Sequence, residues 1–196
     1  PGPGSPATST FFSAGNSTCI WPALTRKSKP PTTSGIKYAV AADAHMFTGL
    51  VSSVGTLVGR NGARFSIGAP IKRKSLEDGD SIACDGCCLS VTRIEDGREG
   101  ALFEVNVSNE TACRTTLGTW KKDTCVNLER SLSFGSELGG HLMTGHIDGL
   151  ARIVARTPDG ESARFVLEAP AEFAQFIAAK GSVALNGVSL TVNEVV

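Results

Sequence analysis

The sequence SIACDGCCLSVT at residues 81–92 returns as SVALNGVSLTV at residues 182–192. Two further pairs of stretches repeat in the same order, namely FTG at 47–49 with MTG at 143–145 and ARFSIGAP at 63–70 with ARFVLEAP at 163–170. The offsets of the three pairs are 96, 100 and 101 residues. Fixed order with a small drift is expected of two copies of one domain that differ by loop insertions. The sequence therefore predicts a tandem duplication.

Short apolar runs separated by Gly, Asp and Asn fill both copies, as in FTGLVSSVGTLVG and ALFEVNVS. This pattern predicts an all-β sandwich or barrel with few helices. The best helical candidates are APAEFAQFIAAKG at residues 169–181 and its counterpart APIKRKSLEDG at residues 69–79. SLTVNEV at the end of the second copy stops where the first copy continues through a further strand and the NETACRTTLG turn. We expect the second copy to be incomplete.

Residues 1–45 differ in composition from everything that follows. They are dense in Ser, Thr, Pro and Gly, they contain four basic residues, and their only acid is Asp43. Without hydrophobic periodicity, such a segment buries too little apolar surface to offset the entropy of ordering, so we expect a disordered leader. The composition is typical of an organelle transit peptide, which would put the protein in a plastid. A Pro/Ser linker or an added expression segment is the alternative, and the protein would then be cytoplasmic. The absent initiator Met suggests a fragment open at both ends.

Charge and hydropathy limit the partners. The chain has 19 Lys and Arg against 19 Asp and Glu, so no overall positive field favours nucleic acid or an anionic membrane. No stretch approaches the roughly 18 consecutive apolar residues of a membrane-spanning helix. We expect neither a nucleic-acid partner nor a membrane.

The repeated stretches also have a common detail that suits a ligand. Gly86 and Gly187 lie between strand runs, where a residue without a side chain permits a positive φ or a close approach of a ligand. Beyond each glycine, hydroxyl residues alternate with apolar ones, so that one face of each strand would be lined with hydroxyls. These residues are Ser90, Thr92, Ser189 and Thr191. An ordinary half-exposed strand gives the same alternation, so the pattern alone favours that simpler interpretation.

Five stretches closely resemble the α-subunit of riboflavin synthase, a family built from a lumazine-binding repeat. They are MFTGLV at 46–51, SIACDGCCLSVT at 81–92, VNLERSL at 126–132, GGHLMTGHIDG at 139–149 and KGSVALNGVSLTV at 180–192. The resemblance runs from residue 46 to residue 196 and covers both copies. It implies tandem six-stranded Greek-key β-barrels, at 46–141 and, incomplete, at 142–196. A C-terminal helix of the family joins complete chains into a homotrimer.

The resemblance implies an enzyme, a transferase of the last step of riboflavin biosynthesis. Such an enzyme dismutates two molecules of 6,7-dimethyl-8-ribityllumazine to riboflavin and 5-amino-6-ribitylaminouracil. It uses no metal and no organic cofactor, and it is functionally linked to lumazine synthase. Its site lies between the N-terminal barrel of one subunit and the C-terminal barrel of the next, so each barrel holds one of two identical substrates.

By the same resemblance, the substrate contacts fall into two sets. The pocket of the N-terminal barrel is expected to contain Gly49, Leu50, Val51, Cys88, Leu89, Ser90, Asn106, Val107, Ser108, Asn109, Glu110 and Thr111. The second pocket is expected to contain Gly145, His146, Ile147, Lys180, Ser189, Leu190 and Thr191. For catalysis we predict Phe47 packing on a ring, Ser81 and Cys88 as polar or nucleophilic contacts, and His146 as a proton shuttle.

The six cysteines invite a metal hypothesis, because Cys84 and Cys87 have the spacing of zinc ligands. The repeat argues against it, since the second copy has Leu185 and Val188 at the same places and still predicts the same strands. Cys87 and Cys88 are neighbours on a strand and point to opposite faces, so they are unlikely to form a disulfide. Free thiols in a reducing compartment are the simpler interpretation.

Two other functions stay open at the level of sequence. One is a non-catalytic lumazine- or flavin-binding protein of the same fold, like the antenna proteins of luminous bacteria. The other, weaker alternative is a flavin-binding reductase barrel, which the absence of a Gly-rich nucleotide loop disfavours. Presence of Phe47, Ser81, Cys88 and His146, with near-complete motifs in both copies, favours the enzyme.

Overall fold

The computed structural model describes residues 45–196 and, further upstream, the backbone of the strand β1 at Thr10–Ala14. The first copy forms a closed six-stranded barrel with every neighbouring pair antiparallel, in the order β2-β3-β6-β5-β4-β7. Its strands are β2 (Ser53–Asn61), β3 (Arg64–Ala69), β4 (Ser81–Cys84), β5 (Cys87–Gly97), β6 (Gly100–Asn106) and β7 (Cys125–Arg130). The all-β prediction and the barrel are confirmed.

Alternation along the strands fills this barrel. Leu89 and Val91 of β5 are buried in the core, whereas Ser90 and Thr92 between and beyond them are exposed on the outer face. Aromatic side chains such as Phe65 complete the core, and burial of each large apolar side chain contributes about 2–3 kcal/mol. Within the described residues of this first copy, helical structure is confined to helix α1 (Asn109–Arg114) and the 3-10 turns Arg73–Ser75 and Thr116–Thr119.

The second copy repeats the first four strands as a partial barrel. They are β8 (Gly149–Asp159), β9 (Ser162–Glu168), β10 (Ser182–Leu185) and β11 (Val188–Thr191). The helix predicted within residues 169–181 is a short 3-10 helix at Ala171–Phe176, and Arg73–Ser75 is its counterpart. Extended backbone at Pro170 and Ile177 limits the helix to one or two i→i+3 turns. Within the described residues, no helix is long and apolar enough to cross a membrane.

Strand β1 differs from the expectation of a leader without regular structure. It pairs in parallel with both β8 and β10 and thus lies where β7 lies between β2 and β4 in the first copy. The facing edges of β8 and β10 would otherwise present unpaired backbone groups, and an extended segment satisfies them. Residues 1–9 and 15–44 of the leader lie outside the described part of the chain.

The two copies meet through segments that cross over. Phe47 and Met143 form an antiparallel bridge, with Phe47 N donating to the carbonyl oxygen of Met143 at 2.8 Å and Met143 N to that of Phe47 at 3.0 Å. At the centre of the junction Gly86 and Gly187, both at positive φ, face each other. A Cβ on Gly86 would lie 2.7 Å from the backbone nitrogen of Gly187, so neither position has room for a side chain.

Candidate active site at the junction of the copies

A cavity of about 350 Å³ opens between the start of β5, helix α1 and the segment that leads into β8. It brings together residues that are far apart in sequence. Seven of the predicted binding residues line it, namely Cys88, Ser108, Glu110, Thr111, Gly145, His146 and Ile147. Four further lining residues were not predicted from the sequence, namely Cys87, Arg114, Thr115 and Asp148.

Cys88 lies at the edge of the cavity and its thiol is half-buried. Burial raises the pKa of this thiol, and a hydrogen bond with the Ser81 side chain lowers it less. The thiol is therefore protonated near neutral pH and acts as a weak hydrogen-bond donor, which favours the polar role predicted for Cys88 over the nucleophilic one. Ser81 itself is buried on β4 beneath the cavity wall.

Gly145 allows the crossover segment to contact Cys88 directly. Cys88 N donates to the carbonyl oxygen of Gly145 at 2.8 Å. Gly145 has φ +76, and a Cβ there would lie 2.5 Å from the Cβ of Cys88. Only glycine has room at position 145 for this close contact with Cys88. The next residue, His146, is exposed and lines the cavity.

Helix α1 forms the opposite wall. Ser108 is its N-cap, and the Ser108 Oγ accepts from Thr111 N at 3.0 Å while lying 2.9 Å from the Thr111 Oγ1. Glu110 and Arg114, at i and i+4, form an exposed ion pair of 3.8 Å. Three other predicted residues of this region do not line the cavity: the exposed Asn106 and Asn109, and Val107, which is buried in the barrel core.

An equivalent contact lies across the junction, in the second copy. Ser189 occupies the place of Cys88, and its backbone nitrogen donates to the carbonyl oxygen of Gly49 at 2.9 Å. Gly49 has φ +77, and a Cβ there would lie 2.7 Å from the Cβ of Ser189. Half-exposed Leu50 and half-buried Val51 follow along this edge. The junction thus has two matched contacts, and we call their surroundings the first site, around Cys88, and the second site, around Ser189.

This arrangement corrects the predicted grouping of the residues. The family resemblance had implied that Gly49 belongs to the pocket of the first barrel and Gly145 to the second pocket. The structure exchanges them, because the segment that leads into each copy docks on the other copy. Sequence position assigns a residue to a copy, but only the tertiary contact assigns it to a pocket.

The other predicted residues have varied surroundings. Phe47 is fully buried in a cluster with Ala83, Met143 and Ala184, against which Cys88 and Ile147 pack. Its ring does not line the cavity of this chain, and its contact with a substrate stays a prediction. Leu89 points into the barrel core and Ser90 is exposed on the outer face.

The last three predicted residues, all in the second copy, lie outside the Cys88 cavity. Leu190 packs against the Ala151 and Leu185 cluster, and the side chain of Thr191 is exposed. Lys180 has φ +67, and its backbone nitrogen donates to the carbonyl oxygen of Val192 at 2.7 Å, which leaves its exposed side chain on the surface.

The buried carboxylate of Glu129 organises the second site and was missed. It accepts hydrogen bonds from Thr48 N at 2.6 Å, from Thr48 Oγ1 at 2.6 Å and from Gly49 N at 2.9 Å. The signal was an acid in the middle of VNLERSL, a segment with the apolar alternation of a strand. An acid at such a position is buried only when several donors satisfy it.

Cys84 and Cys87, the pair with zinc-ligand spacing, are both buried in the barrel. Burial raises the pKa of Cys84 and raises that of Cys87 to about 12, which disfavours the thiolate that a metal needs. Across residues 45–196, no three or more His, Cys, Asp or Glu side chains lie close enough to hold a metal ion.

Comparisons with known proteins agree with this architecture. The Lumazine binding domain family matches residues 48–131 and 144–196, one segment in each copy. The crystal structure of LumP complexed with riboflavin superposes with a TM-score of 0.65 at 26% identity, over 76% of this chain and 82% of LumP. LumP complexed with 6,7-dimethyl-8-(1'-D-ribityl)lumazine gives a TM-score of 0.63 at 25% identity, over 76% and 81%. The chain therefore contains two domains of the Lumazine binding domain family in tandem.

Sequence relatives specify the family. A riboflavin synthase of Brucella abortus is 45% identical over 155 residues, which are 76% of this chain and 77% of that protein. Riboflavin synthases of Mycobacterium tuberculosis and Saccharomyces cerevisiae are 40% and 37% identical over 76% of this chain, and the matches cover 74% and 66% of those proteins. The chain belongs to the riboflavin synthase family, whose members are enzymes of riboflavin biosynthesis.

Proposed function

We propose that this protein dismutates two molecules of 6,7-dimethyl-8-ribityllumazine to riboflavin and 5-amino-6-ribitylaminouracil. The observation that supports it is the pair of matched sites at the junction, one where Gly145 contacts Cys88 and one where Gly49 contacts Ser189. A dismutase of two identical substrates needs two similar sites. One lumazine gives up a four-carbon unit and becomes the uracil, and the other accepts the unit and becomes riboflavin, so atoms balance without a further reactant.

The residue types suit this chemistry. Loss of a proton from the 7-methyl group of one lumazine leaves an anion delocalised over the ring, which neutral hydrogen-bond donors at fixed positions stabilise. The protonated thiol of Cys88, supported by Ser81, is such a donor. His146 lies at the same cavity and is the group that carries protons between ring and solvent. Fixing two rings in a reactive orientation supplies much of the remaining rate.

We further propose that the working unit is a homotrimer in which the second copy of one chain covers the first cavity of its neighbour. The family resemblance supports this arrangement, since the site of such an enzyme lies between the N-terminal barrel of one subunit and the C-terminal barrel of the next. The substrate would come from lumazine synthase, which links the two enzymes functionally. The Ser-rich, basic, acid-poor leader supports plastid import, and a fusion of residues 1–45 to a fluorescent protein tests that location.

Incubation with the lumazine alone, without metal or nucleotide, tests the function. We expect one riboflavin and one uracil product for every two lumazines consumed. Tight lumazine binding without product would instead make the protein a carrier. The similarity to LumP, whose structure contains the lumazine, is the reason to test for this outcome.

Cys88→Ala tests the first cavity. We expect a kcat lower by about tenfold, the effect of about 1.4 kcal/mol in the transition state, because alanine removes the thiol that donates a hydrogen bond. Cys88→Ser keeps a donor, as Ser189 does at the equivalent place in the second copy, and is expected to retain most of the turnover. Cys125→Ala is the matched control, since Cys125 is exposed and lies outside the cavity. Wild-type turnover by Cys88→Ala would remove Cys88 from catalysis.

A further inference from the structure

His141 lies where three segments of the chain meet, beside the second site. Its backbone nitrogen donates to the carbonyl oxygen of Thr48 at 3.0 Å, and its ring Nδ1 lies 2.7 Å from the Ser189 Oγ. Gly140 makes this approach possible, because a Cβ there would overlap the carbonyl oxygen of Thr48 and lie 3.2 Å from the Cβ of Ser189. The backbone contacts of Gly140 and His141 with Thr48 thus place the His141 ring beside the Ser189 hydroxyl.

The other ring nitrogen decides which atom donates. Nε2 of His141 is buried and has no hydrogen-bond partner among the described residues. Burial lowers the pKa of His141, which the Glu129 carboxylate opposes less strongly, so the ring is neutral near pH 7 and carries one proton. A buried N–H without an acceptor is rarer and costlier than a buried acceptor without a donor. The proton therefore sits on Nδ1, and Nδ1–H donates to the Ser189 Oγ.

We propose that His141 is a positioning residue that fixes the Ser189 hydroxyl as a hydrogen-bond donor to a ring acceptor of the lumazine in the second site. This inference rests on the proposed function, which puts a lumazine at Ser189. With one lone pair of Oγ engaged by His141, the Ser189 proton turns away from the ring and towards the ligand. The two matched sites then differ chemically. The first presents a thiol, a weak donor, and the second presents an oriented hydroxyl, a stronger one.

Three variants of the full chain test the inference. His141→Phe removes the donor together with the unsatisfied Nε2, so the melting temperature is expected to hold while the lumazine dissociation constant at the second site rises by about tenfold. His141→Asn places an amide N–H near the position of Nδ1–H and is expected to retain most of the affinity. Ser189→Ala is expected to match His141→Phe, and the double variant to be no worse than either single one, as in a coupled pair.

His45 offers a matched control, because it precedes the 47–49 turn of the first copy as His141 precedes the 143–145 turn. His45→Phe is expected to bind lumazine as the wild type does. Any of three results would overturn the positioning role. They are additive losses of lumazine affinity in the double variant, no recovery of affinity in His141→Asn, and an equal loss of affinity in His45→Phe. Lumazine binding is followed by fluorescence titration. If the wild type binds lumazine but forms no riboflavin, the proposed function is wrong. The lumazine affinities of the single and double variants still test the role of His141 in that case.

Discussion

Glu129→Gln is expected to lower the free energy of unfolding by about 3–5 kcal/mol and to weaken lumazine binding at the second site. The Glu129 carboxylate accepts from Thr48 N, Thr48 Oγ1 and Gly49 N, all of which are buried. Glutamine keeps one acceptor oxygen and turns an NH2 group towards at least one of these donors. Each hydrogen bond to a charged group contributes about 1.5–3 kcal/mol, and an unsatisfied buried donor adds to the loss.

Chemical unfolding of both proteins measures the change in stability. Glu95→Gln is the control, because Glu95 pairs with Arg93 on the exposed surface, where ion pairs contribute at most about 1 kcal/mol. The 47–49 turn also places Gly49 against Ser189, so lumazine affinity is expected to fall with stability. If the free energy of unfolding of Glu129→Gln lies within about 1 kcal/mol of the wild-type value, water or a rearrangement satisfies the hydrogen-bond donors of the 47–49 turn.

Asp85→Asn is expected to stabilise the protein by about 2–3 kcal/mol at pH 7 and to remove a pH dependence between pH 4 and 6. Burial raises the pKa of Asp85 to about 6, and the hydrogen bond from Asn127 N lowers it less. Since the folded pKa lies above the unfolded one, the folded state binds more protons in this window. Wild-type stability therefore falls as pH rises from about 4 to about 6 and then levels off.

The second copy shows that asparagine fits this position. Asn186 is the counterpart of Asp85, and both residues have φ +47. The amide oxygen of an asparagine at 85 keeps the acceptor for Asn127 N. Asp96→Asn, at an exposed site, is the control and should leave the pH profile unchanged. A wild-type stability that stays flat from pH 4 to 7, or rises, would contradict the raised pKa.

The sequence predicted the fold through its repeats, because the paired stretches mark equivalent strands and Gly86 and Gly187 mark equivalent turns. It could not predict the exchange of Gly49 and Gly145 between the sites. That exchange depends on docking of the two copies, and no local pattern encodes docking. Glu129 was missed for a related reason, since it accepts hydrogen bonds from donors that lie far away along the chain.

The predicted helical segments both contain a short helix, but its type was not predictable. Apolar spacing in residues 169–181 suits an α-helix, but Pro170 and Ile177 are extended and limit the helix to a 3-10 helix at Ala171–Phe176. Strand β1 went unpredicted because its pairing satisfies edges of β8 and β10 that the leader's own composition does not reveal.

The crossed turns carry a consequence for the history of the duplicated gene. A substitution in the 47–49 turn changes the site of the second copy, and one in the 143–145 turn changes the site of the first. Neither half can drift towards a new specificity by itself, because part of each binding site is encoded in the other half. Deleting one half would also leave the survivor with a damaged site, so the two copies are inherited and selected as a pair.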